Sequence, residues 1–233
     1  EVVQNEKRQR VDNRPYGHSN YVTIKNMYPE GHPYNWTVIG ELEDLQNATL
    51  EDVRSFYEQW YGPNNATMVI AGDISPRAVK KMVEKYFGEI KKGPEIKNPE
   101  PWHVTLETTK KVFHEDNFAR SPRLSMSFPT VNQLDDDAPA LELLGQLLGD
   151  GKKAPLYKVI VEDRKLAPNI SSFSRTQEIA GTFNISSTAF PATNLTDVEN
   201  SIFDAFEMFE KEGFTVEDLD RLKAKYETGF YSG

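Results

Sequence analysis

The 233-residue chain contains no cysteine. Disulfides and thiolate metal sites are therefore excluded, and this absence suits the cytoplasm and a bacterial envelope equally. No apolar run approaches the length that spans a bilayer, and no signal peptide is visible. Positive charge is scarce: 27 Lys and Arg stand against 36 Asp and Glu, a net charge of −9. Basic residues gather only in short stretches such as Lys7-Arg8-Gln9-Arg10, Lys91-Lys92 and Lys152-Lys153, which read as solvated helix ends and turns. A nucleic-acid partner needs clustered positive charge, so none is expected. Only four histidines occur, His18, His32, His103 and His114, and no two have the i, i+4 spacing that lets one helix face grip zinc. The chain also lacks a glycine-rich phosphate loop, a G-x-S-x-G elbow and a CxxC pair. Clustered carboxylates at Glu41, Glu43 and Asp44 and at Asp135 to Asp137 read as solvated caps rather than acid–base pairs.

What is present is enough apolar residue, 38%, to build a core. Thr49-Leu-Glu-Asp52 is a capping-box-like start. Behind it Val53, Phe56, Tyr57 and Trp60 fall at i, i+3, i+4 and i+7, one face of a helix. The apolar run Ala66 to Ala71 predicts a buried strand. Ser75-Pro76 opens a second helix, with core positions Val79, Met82, Val83 and Tyr86. A polar, Pro-rich stretch follows, and the pattern then restarts. Strands are expected over Val104 to Asp116, Arg123 to Pro129, Asn169 to Gln177 and Thr182 to Phe190. Helices are expected behind Asp137, over Pro155 to Asp163, over Leu195 to Lys211 with Ile202, Phe203, Phe206 and Phe209 inward, and behind Thr215-Val-Glu-Asp218. Strand pairs followed by helices, without βα alternation, indicate an α+β fold with antiparallel sheets. Six Asn-x-Ser/Thr sequons occur, at Asn35, Asn47, Asn65, Asn169, Asn184 and Asn194. They read as turn and capping residues rather than glycosylation sites.

The start of the chain reads as a helix already under way, since no cap residue stands ahead of Val2. The last helix likewise looks cut near Gly229 to Gly233. Both ends are therefore expected to be truncated.

Several segments together resemble the M16 metallopeptidases, the pitrilysin, insulinase and processing-peptidase family. They are Val2-Val-Gln-Asn-Glu6 through Arg14-Pro-Tyr-Gly17, then Gly31-His-Pro-Tyr34, Thr49 to Val53, Trp60-Tyr-Gly-Pro-Asn64 and Met68 to Asp73. Pro155-Leu-Tyr157 and Glu162 to Ala167 extend the likeness, which covers nearly the whole chain. The resemblance implies tandem M16-type units, each a mostly antiparallel sheet packed by helices. Residues 1–93 would be the C-terminal part of a first, zinc-bearing unit that is incomplete, 94–101 a linker, and 102–233 most of a second, non-catalytic unit.

In the family, an inverted His-x-x-Glu-His helix supplies two zinc imidazoles and a general base. A distant Asn-Glu helix supplies the third ligand, and that position matches Glu6. A carboxylate suits zinc and leaves a coordination place open for water, which the metal would activate against a peptide carbonyl. The His-x-x-Glu-His segment is absent from this chain. Many members also carry Leu-Arg-Glu-x-x-Gly-Leu-x-Tyr in a later unit, its Arg and Tyr serving substrate binding. Here Val161 and Pro168 stand at those two positions.

The resemblance therefore implies a fragment of a zinc endopeptidase that takes peptides or unfolded proteins. Glu6 would be its one metal ligand, and the fragment would be inactive and without its own zinc. The alternative is a non-catalytic M16-like scaffold or substrate-recognition subunit. Expected partners are the missing M16 units of the same chain or, in their absence, other copies of the fragment. The expected location is the periplasm or cell envelope, with the cytoplasm second.

Overall fold

The computed structural model describes residues 1–232. Nine α-helices are formed among them, in chain order α1 (Val2–Lys7), α2 (Ser19–Met27), α3 (Leu42–Asn47), α4 (Leu50–Trp60), α5 (Pro76–Phe87), α6 (Ala138–Gly149), α7 (Pro155–Tyr157), α8 (Leu195–Glu212) and α9 (Val216–Ser232). Helix α1 runs on into a π-helical turn over Arg8–Asp12, and α7 into another over Lys158–Asp163. Three strands, β1 (Arg123–Thr130), β2 (Ser171–Thr176) and β3 (Gly181–Thr188), complete the elements.

Local chemistry accounts for many of these boundaries. The Thr49 hydroxyl accepts from the Asp52 amide at 3.2 Å, while the Asp52 carboxylate accepts from the Thr49 amide at 2.8 Å, a reciprocal capping box. Thr215 and Asp218 repeat it ahead of α9. Asn194 caps α8 by accepting from the Thr196 amide. Ser75 precedes α5 without a side-chain cap bond, so Pro76, whose ring presets the helical φ, marks that start. The sequon asparagines Asn35, Asn65 and Asn194 hydrogen-bond to nearby backbone as turn and capping residues do, whereas Asn184 lies inside β3 and bonds Thr182.

The chain divides into two compact units, one formed by Gly40–Pro99 and the other by Glu1–Ile39 with Glu100–Gly233. In the first, no apolar side chain is buried. Val53, Phe56, Tyr57 and Trp60, the anticipated inner face of α4, are all exposed, as are Met82 and Tyr86 of α5. The expected strand at Ala66 to Ala71 is absent: the run pairs with no strand among the described residues, and Val69 is 83% exposed. The physical reason is the lack of a neighbour. A strand exists by exchanging backbone hydrogen bonds with another, and none of the described residues supplies one here. What holds this unit is polar: Asn64 accepts from the Gly93 amide and donates to the Pro94 carbonyl, tying the end of α4 to the Pro-rich stretch.

The second unit has a core. Its sheet has the order β1-β3-β2, antiparallel throughout, with Met126 opposite Ile185 and Ser172 opposite the same residue on the other side. This is the expected α+β class with an antiparallel sheet. Along β3, Phe183, Ile185 and Ser187 are buried and alternate with half-buried Thr182, Asn184 and Ser186. Against that buried face pack Leu148 of α6, Leu156 of α7, Val159 and Ile160 of the following turn, and Val198, Ile202 and Ala205 of α8. Each fully buried Leu or Ile contributes about 1.5–3 kcal/mol relative to exposure. Phe203, expected inward, is instead 48% exposed, because the buried stripe of α8 runs through Val198, Ser201, Ile202 and Ala205. The expected strand over Val104 to Asp116 forms no ladder, for the same want of a partner.

A smaller cluster gathers Met27, Tyr28 and Ala180 beside His32, whose ring is fully buried between Tyr28 and Trp102. His32 Nδ1 accepts from the Tyr34 amide at 3.0 Å. Its Nε2 then carries the proton and donates to the Trp102 carbonyl at 3.1 Å. Gly31-His-Pro-Tyr34 is thus a packed structural turn.

Helix α6 approaches β2 through two glycines one turn apart. A Cβ on Gly149 would lie 2.8 Å from Ser172 Cβ and 3.0 Å from its backbone nitrogen, whereas one on Gly229 in α9 would meet nothing within 4 Å. Gly229→Ala should therefore stabilise by about 0.5–1 kcal/mol, the ordinary helix-propensity gain. Gly149→Ala should destabilise by about 1–3 kcal/mol through overpacking. Urea unfolding of the two variants checks this; equal and favourable shifts would show that the α6–β2 contact is not close.

Candidate functional site

Glu6 sits on α1 just ahead of its π-helical turn. Its Oε1 lies 3.0 Å from Arg10 Nη1, an i, i+4 ion pair whose side chains are 40% and 76% exposed. Its neighbour Asn5 accepts from Arg8 Nη1 at 3.1 Å. Arg10 is the i, i+4 partner that helical spacing offers this glutamate. Among the described residues no group of three or more His, Asp or Glu side chains could hold a metal ion. A zinc site needs three protein ligands with an open fourth place. The residues present do not make such a site, and Glu6 is at most one donor of it.

The histidines have other occupations. His32 is the buried hinge of the turn described above, and His103 bonds Asn132 through Nε2 at 3.1 Å. His18 and His114 do meet, with ring centroids 5.6 Å apart, and His18 Nε2 lies 3.6 Å from Asp12 Oδ1. Val161 packs partly buried against the core cluster, an apolar role in place of the family arginine. Lys165 adopts φ +51°, at the place where the family pattern has Gly. A left-handed residue there keeps the turn that glycine would allow without strain.

A second constellation, which the sequence reading missed, centres on Tyr16. This residue has φ +59°. Its amide donates to Asp116 Oδ2 at 2.6 Å, its hydroxyl donates to the Ser121 carbonyl at 2.7 Å, and the Arg123 guanidinium lies 3.7 Å above its ring. Asp116 also accepts from the Phe118 and Ala119 amides. Those amides, the Phe118 one foremost, hold its carboxyl below the usual carboxylate range. The Asp116-Asn117-Phe118 run carries an Asx-turn signal that could have flagged the aspartate. The partner 100 residues away could not be read from it.

A family model described as the peptidase M16 inactive domain matches residues 47–226. The zinc protease PqqE of Helicobacter pylori is 28% identical over 235 residues, covering 100% of this chain and 52% of that protein. A solved protease from Helicobacter pylori superposes with a TM-score of 0.83 at 28% identity, covering 99% of this chain and 56% of that one. The first half of the periplasmic protease PqqL from Escherichia coli shares the fold, with a TM-score of 0.68 at 18% identity over 99% of this chain and 50% of that one. The chain spans about half the length of the curated relatives it matches.

The Asp116 hub has a pH consequence. A carboxyl whose folded pKa is depressed adds stability above its unfolded value, and that stability is lost as pH falls through the folded value. The tie between Tyr16 and Asp116 should thus be intact above about pH 4, the unfolded aspartate value, and loosen below it. The Tyr16 amide resonance should follow this titration, and in Asp116→Asn its acid-induced shift should vanish. A Tyr16 amide that ignores pH in the unchanged chain would remove the hub.

Proposed function

The chain belongs to the M16 peptidase family, and from that premise we propose that it is part of a zinc-dependent endopeptidase. The whole enzyme would cleave peptides or unfolded proteins by attack of a metal-activated water, whereas this chain alone is inactive. In the proposal, residues 1–93 derive from the zinc-bearing unit, 94–101 are linker and 102–233 form most of a non-catalytic unit. One of the two boundaries between compact units, at Pro99, falls within the proposed linker, whereas the other, at Ile39, lies inside the proposed zinc-bearing unit. The family's inactive-domain model supports a second unit without chemistry of its own. Glu6 is the proposed zinc ligand, completed by two imidazoles that this chain does not contain. The proposed compartment is the periplasm or cell envelope, with the cytoplasm second. Among the described residues no helix is long and apolar enough to cross a membrane.

The observation that carries the proposal is the state of Glu6. Its carboxylate is exposed on a short helix and is held by Arg10 alone among the interactions described above. An exposed i, i+4 pair is worth only about 0.3–0.5 kcal/mol, so a metal bond would displace it readily. In the full-length protein, Glu6→Gln should lower zinc occupancy and with it chelator-sensitive cleavage of unfolded peptides. Unchanged zinc content would refute the assignment, and a full-length protein that never binds zinc would favour the scaffold reading. The 233-residue chain itself should bind no stoichiometric zinc.

The exposed faces of α4 and α5 support a further part of the proposal, that other M16 units normally cover them. Contiguous apolar patches of this kind mark interaction surfaces. Without a cover, the chain should self-associate with rising concentration in sedimentation experiments, and Val53→Lys with Phe56→Glu should restore the monomer. A monomer at all concentrations in the unchanged chain would count against a missing cover.

A further inference from the structure

Within the sheet-bearing unit lies a cavity of about 470 Å³, bounded by α2, by the stretch from Leu106 to Pro122 and by β1, an outer strand of the sheet. Its size falls in the range of small-molecule sites, roughly 300–1,000 Å³. Nothing in the peptidase reading uses it.

The lining is asymmetric. Three exposed cations, Lys110, Arg120 and Arg123, line it, and none forms an ion pair among the described residues. Lys110 Nζ donates only to the Asn26 carbonyl at 2.8 Å. Arg123 lies over Tyr16 and donates from Nε to Thr188 Oγ1 at 3.0 Å. Arg120 forms no hydrogen bond among the described residues. Two carboxylates also line the cavity, Glu115 and Asp116. Asp116 is committed on both oxygens to the amides of Tyr16, Phe118 and Ala119. In a chain of net charge −9, three cations on one cavity have thus been left without carboxylate partners. Four apolar lining residues are half-buried or buried: Val22, Met27, Leu106 and Leu124.

We propose that this cavity binds a carboxylate carried on an apolar body. The carboxylate sits among Lys110, Arg120 and Arg123, and the apolar part lies against Val22, Met27, Leu106 and Leu124. A guanidinium offers paired N–H donors that match a carboxylate in geometry and charge. An inorganic anion would use the cations but leave the apolar wall unfilled. A neutral apolar molecule would fill the wall and leave three cations unanswered. Two sources carry the required chemistry, the C-terminus of a peptide ending in an apolar residue and a medium-chain fatty acid. The proposal stands apart from the zinc reading, since none of these residues is near the metal assignment in sequence or role.

The test is a titration of the chain, followed by amide NMR at Tyr16, Leu124 and Ser125. The probes are octanoate against octanol, and N-acetyl-Leu-Phe against its C-terminal amide. In each pair the carboxylate should bind at least about tenfold more tightly, the usual worth of a charge-assisted hydrogen bond. Added salt should weaken it. Arg120→Gln is the decisive variant, because Arg120 makes no hydrogen bond or ion pair among the described residues and its loss leaves the fold intact; it should weaken octanoate by about threefold or more. Lys110→Gln should act in the same direction. Response to the peptide acid alone assigns the site to peptide termini, response to octanoate alone assigns it to fatty acids, and response to both supports the shared chemistry. Equal binding of acid and neutral partner, shifts confined to residues 40–99, or no response to any probe would overturn the proposal.

Discussion

The register that pairs β3 with β1 on one side and β2 on the other is the constraint on which the sheet-bearing unit depends. Because side chains alternate along a strand, this register sends Phe183, Ile185 and Ser187 to the core face together. A slip of one residue would turn Thr182, Asn184 and Ser186 inward and leave their polar atoms to be satisfied among Leu156, Ile160 and Ile202. The opposite face shows why this does not happen. Ser125 meets Ser186 and Ser127 donates to Asn184 only in the observed register. The glycines of α6 then fix how closely helix and sheet can stack.

The same requirement for a backbone partner explains where sequence and structure part company. Residues 182 to 188 alternate and find neighbours, so the expected strand exists. Residues 66 to 71 are more apolar and carry as strong a strand signal, yet no ladder forms. Local pattern reports what a segment would do given a partner, and it says nothing about whether the partner is present. Helix ends were far more legible. Thr49 with Asp52 and Thr215 with Asp218 complete their hydrogen bonds within four residues, so the sequence contains the whole interaction. The contact between Tyr16 and Asp116 spans 100 residues, and no local reading reaches it.

For the candidate metal ligand the limit is one of stoichiometry. Glu6 was legible only through a family resemblance, because a lone glutamate on a helix has no distinguishing pattern. The structure gives it the partner that helical spacing offers, Arg10. In the zinc proposal, this exposed pair is what a metal bond would have to displace.

The two kinds of uncovered surface in this chain differ in what they would accept. The faces of α4 and α5 present exposed side chains such as Phe56, Tyr57 and Met82. Burying them requires something of comparable area, which means protein. The cavity beside β1 is concave and carries unpaired charge, so it discriminates by charge as well as by shape. A protein surface would have to supply a carboxylate at one point and a narrow apolar extension behind it. A small organic anion carries both features in one molecule. Arg123 adds a structural link between the two constellations. It is held over Tyr16, whose amide is anchored by Asp116, so the cation that faces the cavity is positioned before any ligand arrives. A site whose charge is already oriented gains affinity from the reorganisation it avoids, and that argues for recognition at this place rather than for an incidental gap in packing.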